Sequence, residues 1–218
     1  MTIDSAGQIE AARAALSLLD PALAVAHAAA PPFEWRKRPG GFAGLVKLVL
    51  EQQVSVASAA AVWKRLEQGL GIVGPREVLA QDVDSLKTFG LSGQKARYIR
   101  AVAEAHMSGR IDFARLSEHD DETATATLVA IKGVGRWTAE AYLMGCEGRM
   151  DLFPAGDVAL QEALRLADRA AARLPEKSLY ARAERWRPYR GVAAHLLWAY
   201  YAIAKMRKTD LPDAAAPD

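Results

Sequence analysis

The chain has 218 residues, half of them hydrophobic, which is enough for one sizeable core or two small lobes and excludes a disordered polymer. The formal net charge of +2 is compatible with a nucleic-acid partner without demanding one. The single cysteine, Cys146, excludes a disulfide framework, a four-cysteine iron–sulfur cluster and a structural zinc site within one chain, and reads as a small buried residue.

Abundant alanine and few β-branched runs favour helix, so about ten helices and no strand are expected. Ile9, Ala12, Leu16 and Leu19 recur at helical spacing, and Pro21 follows. Residues 31–41, rich in Pro, Gly and charge, read as a loop. Phe42, Leu45, Val46, Val49 and Leu50 then form an apolar stripe, interrupted by Glu51-Gln52-Gln53. Ser55 is a candidate cap for a helix running through Trp63 and Leu66 to Gly69. Residues 84–89 suit a short helix closed by Gly90. Ser92 opens another, with Ala96, Ile99, Val102, Ala103 and His106 on one face and Gly109 at its end. Asp120, Asp121 and Glu122 suit the positive end of the next helix dipole. That helix ends at Lys132-Gly133-Val134-Gly135, and a new one starts directly and stops at Gly145. The loop Phe153-Pro154-Ala155-Gly156-Asp157 leads to a helix from Val158 to about Arg173. Two more follow Pro175, separated near Pro188, and the tail beyond Lys208 is polar and rich in Pro and Ala. Neither a secretory leader nor a membrane span is legible, so a soluble cytoplasmic protein is expected, nucleoid-associated if bacterial.

Two places carry chemistry. A short turn between helices needs positive φ or close backbone approach, which glycine supplies at Gly133 and Gly135. The free N–H groups of the following helix, flanked by Lys132 and Arg136, would suit a phosphate; an ordinary helix corner would use the same residues. Asp157 stands twenty positions after Trp137, where a loop meets a helix. It fits an N-cap, and equally a carboxylate that offsets positive charge building on a sugar as a glycosidic bond breaks. From Ala163 to Arg190 eight basic residues face three acidic ones, which reads as a solvated helix face or as a charged binding surface.

The run Ile131-Lys132-Gly133-Val134-Gly135-Arg136-Trp137-Thr138-Ala139, followed by Phe153-Pro154-Ala155-Gly156-Asp157, resembles the helix-hairpin-helix and Gly/Pro-Asp signature of DNA base-excision glycosylases. Within that superfamily the resemblance is closest to the 3-methyladenine DNA glycosylase II group. The segments Leu50-Glu51-Gln52-Gln53-Val54-Ser55-Val56-Ala57, Leu86 to Leu91 with Lys95-Ala96, and Tyr180 to Arg190 resemble that group's blocks in the same order, so the match spans roughly residues 35 to 205.

The resemblance implies an all-α, two-lobed fold with a central cleft. One lobe would be residues 36–145, and the other 1–35 with 146–218. It implies Asp157 as the catalytic carboxylate. Trp137 and Trp198 match pocket tryptophans, and an aromatic face attracts a purine made cationic by methylation, at about 0.5–2 kcal/mol. Gln52, Gln53, Lys132, Gly133, Val134, Gly135, Arg136, Arg187 and Arg190 would contact double-stranded DNA carrying alkylated bases, and Arg182 joins them. Bifunctional members carry a lysine where Trp137 stands, so a monofunctional enzyme, releasing the base without cutting the strand, is expected. Gln53 departs from the larger apolar residue often found there and Gly156 from a frequent second acid, and a compact version without the extra N-terminal α/β domain of longer bacterial relatives is expected. No cofactor is required, though a monovalent cation at the hairpin is conceivable by analogy, and a monomer is expected. A glycosylase for deaminated or oxidised bases, and a non-catalytic damage-binding module, are the competing readings.

Overall fold

The computed structural model describes residues 6–35 and 37–209, and among these the elements are all helical. They fall into two compact units. One takes the described residues up to Trp35 and from Arg149 onward, and the other takes those between.

The middle unit is built on α3 (Gly41–Glu51), whose Phe42, Leu45, Val46, Leu48, Val49 and Leu50 are all buried. A helix apolar on nearly every side belongs inside, and α4 (Val56–Leu70), α7 (Gly93–Met107) and α9 (Arg136–Tyr142) cover it. Each fully buried Leu or Val contributes about 1.5–3 kcal/mol of transfer free energy. No side chain caps α3; instead the buried Tyr142 hydroxyl accepts the Gly41 N–H at 2.8 Å. Around this centre lie α5 (Pro75–Leu79), α6 (Val83–Thr88) and α8 (Asp121–Val129). Ser55 and Ser92 cap α4 and α7 with their side chains, as their positions predict.

The other unit holds α1 (Ala6–Leu19), α2 (Pro21–Ala29), α10 (Val158–Ala167), α11 (Glu176–Ala183) and α12 (Arg190–Thr209). Trp186, completely buried, meets Phe153 edge-on at 5.1 Å and donates its indole N–H to Asp20 at 3.1 Å. Asp20 is itself sealed from solvent and binds the Arg182 guanidinium at 2.7 and 2.9 Å, while Arg182 also reaches Asp168. Burial pushes the Asp20 carboxyl up, but Arg182, the Ala22 N–H and the Trp186 indole outweigh it, and the net displacement is downward.

Several boundaries differ from the sequence reading. Pro21 begins α2 rather than only ending α1, because at the first helical position it loses no hydrogen bond and Asp20 caps the turn. Pro75 opens α5, which the sequence reading passed over, in the same way. The helix expected to stop at Gly69 runs to Leu70 and ends on Gly71, whose φ is +73°. After the hairpin, α9 passes into a π-helical turn over Leu143–Glu147 and closes at Gly148 with φ +75°, beyond Gly145. The helix expected to reach Arg173 ends at Ala167, since Arg169 turns left-handed at φ +54°. The tail from residue 210 lies outside the described residues.

Candidate functional site

In the middle unit, α8 and α9 form the helical hairpin. Val134 N–H returns to the Ile131 carbonyl at 3.0 Å, and Gly135 is the extended N-cap of α9. Gly133 has φ +93°, and a Cβ placed there would sit 2.2 Å from the Tyr98 ring. Both facts demand glycine. Gly135 differs: its φ is −83° and a Cβ would meet nothing within 4 Å. Val134 is buried, so the turn presents backbone there rather than side chain. Lys132 is exposed. Arg136 lies against the buried Glu140 at 2.9 Å and Glu122 at 3.6 Å. Trp137, on the first turn of α9, is half-buried.

Gln52, the neighbouring candidate for duplex contact, has partners within the middle unit: its amide donates to the Gly133 carbonyl at 3.0 Å and to Thr138 Oγ1 at 2.9 Å. It ties the end of α3 to the hairpin 81 residues away. Lys95 Nζ adds a second tie, to the Leu50 carbonyl at 2.5 Å. Directly after these supports Gln53 is exposed and left-handed, φ +56°, a conformation that costs a non-glycine residue about 1–2 kcal/mol.

In the other unit, Asp157 is the N-cap of α10. Its Oδ1 accepts the N–H groups of Ala159 at 2.8 Å and Leu160 at 3.0 Å, and the Trp198 indole N–H at 3.3 Å. The loop before it is held by Asp157 N–H on the Pro154 carbonyl and by Gln161 on the Ala155 carbonyl. Phe153 anchors it in the core. The structure gives Asp157 the N-cap role, and the cap fixes Oδ1 of the carboxylate. Behind Trp198 stand His195 and Trp35, the latter stacked on the imidazole. The sequence reading missed His195; its spacing of three from Trp198 on one helix was the available signal.

The basic run is largely matched by acids that lie outside it. Arg182 is not a surface contact but the partner of Asp20 and Asp168, with 15% of its side chain exposed. Arg190, 11% exposed, binds Asp151 and Glu184, and Arg187 binds the same two acids from a more exposed position. Arg165 pairs with Glu162. Among the described residues no cluster of three or more His, Cys, Asp or Glu could hold a metal, and no helix is long and apolar enough to cross a membrane.

A wholly helical chain with a glycine hairpin and a capped aspartate at the end of a Gly/Pro loop defines the helix-hairpin-helix class. Residues 46–188 match the HhH-GPD superfamily of base excision DNA repair proteins, and the chain belongs to it. It is 29% identical over 173 residues to DNA-3-methyladenine glycosylase 1 of Schizosaccharomyces pombe, covering 77% of this chain and 75% of that protein. It is also similar to the crystal structure of a DNA-3-methyladenine glycosidase from Bacillus halodurans, with TM-score 0.76, 32% identity and 94% of each chain covered. The S. pombe 3-methyladenine DNA glycosylase Mag1 in complex with abasic DNA gives TM-score 0.77 and 26% identity over 86% of this chain and 94% of that one. The chain spans just over half of longer relatives from Bacillus subtilis and Escherichia coli, 56% and 55%.

Proposed function

We propose that the protein is a monofunctional DNA glycosylase that hydrolyses the N-glycosidic bond of alkylated purines, 3-methyladenine and 7-methylguanine among them, in double-stranded DNA. The observation that carries this reading is Asp157 at the cap of α10, its Oδ1 fixed by two backbone N–H groups and one indole. As the bond to the base lengthens, positive charge develops on the deoxyribose. A carboxylate of fixed orientation offsets that charge and directs or deprotonates the attacking water. Methylation at N3 or N7 makes the base a cation and so a good leaving group, which reduces the need for an acid on the base. Trp137 and Trp198 are the aromatic faces assigned to a base rotated out of the duplex. Trp137 occupies the place of a Schiff-base lysine, so the product is an abasic site in an intact strand.

Backbone N–H groups at Gly133 and Gly135, with Lys132 and Arg136, are assigned to the DNA backbone, and exposed Gln53 to the gap left in the stack. Arg187 and Arg190 would reach phosphate only by sharing their hold on Asp151 and Glu184. The reading needs no cofactor. A monovalent cation on the hairpin would have to share the Gly133 carbonyl with Gln52 and the Ile131 carbonyl with Val134.

The test is base release from methylated duplex DNA by the purified chain. Release of 3-methyladenine without strand scission is expected. Asp157→Asn should keep DNA affinity, and its stability should change little because Asn also caps helices. Its rate of base release should fall by about a hundredfold or more. Undiminished release by Asp157→Asn would overturn the reading, and binding without release by the wild-type chain would favour a damage-binding module.

A further inference from the structure

Trp198 reaches Asp157 through one long hydrogen bond, 3.3 Å, so the contact depends on how firmly the indole is held. His195, one turn earlier on α12, lies against the indole. The imidazole stacks on Trp35 with centroids 4.2 Å apart and planes 10° from parallel. Trp198 meets the same ring at 5.4 Å and 54°, and Phe33 meets it at 5.8 Å and 43°.

We infer that His195 is a positioning residue: as the ring shared by Trp35 and Trp198, it fixes the indole whose N–H orients the Asp157 carboxylate. Its Nδ1 is buried without a hydrogen-bond partner, while three aromatic rings lie against the imidazole. Burial pushes the imidazole down to about 4, against the opposing influence of the Gly191 carbonyl. The plate is therefore neutral at neutral pH and sets no positive charge beside the face assigned to a cationic base. A flat aromatic side chain can replace it in this role. An aliphatic one of similar bulk fills the space but gives the indole no plane to rest on.

The inference rests on the reading of Asp157 as the reactive carboxylate, and the experiment separates the two. The indole N–H of Trp198 is followed by 1H–15N NMR in the full chain, with its signal identified by Trp198→Phe. His195→Phe should leave that N–H as protected from solvent exchange as in the wild type, whereas His195→Leu should lower its protection about tenfold. Single-turnover base release should follow, near wild type for His195→Phe and about tenfold or more slower for His195→Leu, with DNA affinity unchanged. Should His195→Leu fail to fold, Trp35→Leu removes the outer plate and should loosen the same N–H. Full protection of the Trp198 N–H in whichever leucine variant folds overturns the inference. A wild-type chain that releases no base overturns the glycosylase reading instead, and the NMR comparison still decides the role of His195.

Discussion

Gly133 and Gly135 are equivalent in the sequence motif but not in the structure. The first has a left-handed backbone and the Tyr98 ring at its α-carbon, and the second has ordinary φ and open space. Gly133→Ala should therefore destabilise the fold by about 1–3 kcal/mol, read as a lower urea midpoint. Gly135→Ala should leave that midpoint nearly unchanged and weaken DNA binding, because the added methyl occupies the space a phosphate would need. A histidine gives the second residue-scale expectation. His195 is held near 4, below its ordinary 6.5, so as pH falls the unfolded chain takes up the proton first. Its neutral form supports the fold fully above pH 6.5, and that support is lost as pH falls towards 4, by up to about 3 kcal/mol. The rings against it, Phe33, Trp35 and Trp198, carry no charge that would alter the sign. Urea titrations at pH 4.5 and 7.5 should show a smaller acid loss in His195→Phe than in the wild type.

At the scale of elements, Gln52 joins the end of α3 to the α8–α9 hairpin, and its removal should act on the hairpin's shape rather than on charge. Gln52→Ala leaves the Gly133 carbonyl without that donor, which costs about 1–3 kcal/mol, and should weaken DNA binding with an unchanged dependence on salt. Lys132→Ala should do the opposite, leaving stability alone and reducing the salt slope by about one. Titrating affinity against salt for both variants checks the contrast. Much of this level was legible beforehand. Ser55 and Ser92 announce their helices by residue type, Gly133 announces a left-handed turn, and Asp157 is marked by its place at a loop-to-helix junction. Pro21 misled because proline ends a helix from inside and starts one from its first turn, and here the Asp20 cap distinguishes the two; Pro75, after Gly74 with no side chain to cap, carried no such mark. The tie made by Gln52 was not legible because the sequence gives its type but not its partner, which lies 81 residues on.

The same limit governs the whole molecule. Counting charge along residues 163–190 gives a basic excess, yet Arg182, Arg187 and Arg190 are matched by Asp20 and Asp151, which no local window contains. Arg182→Leu should cost up to about 3–5 kcal/mol, because it leaves the sealed Asp20 carboxylate with the more exposed Arg185, at 3.5 Å, as its cation. Chemical denaturation measures that loss, and the salt slope of DNA binding should not move. Asp20 and Arg182 also belong to the unit that takes its residues from both sides of the middle one. During synthesis, residues 37–148 are made before residues 149–209. Helices α1 and α2, translated before the middle unit, have no Trp186 or Arg182 to pack against until the residues beyond the middle unit are made. The earlier-made stretch thus waits across the whole middle unit for its native surroundings, and its apolar faces are the surface a nascent-chain chaperone would have to shield.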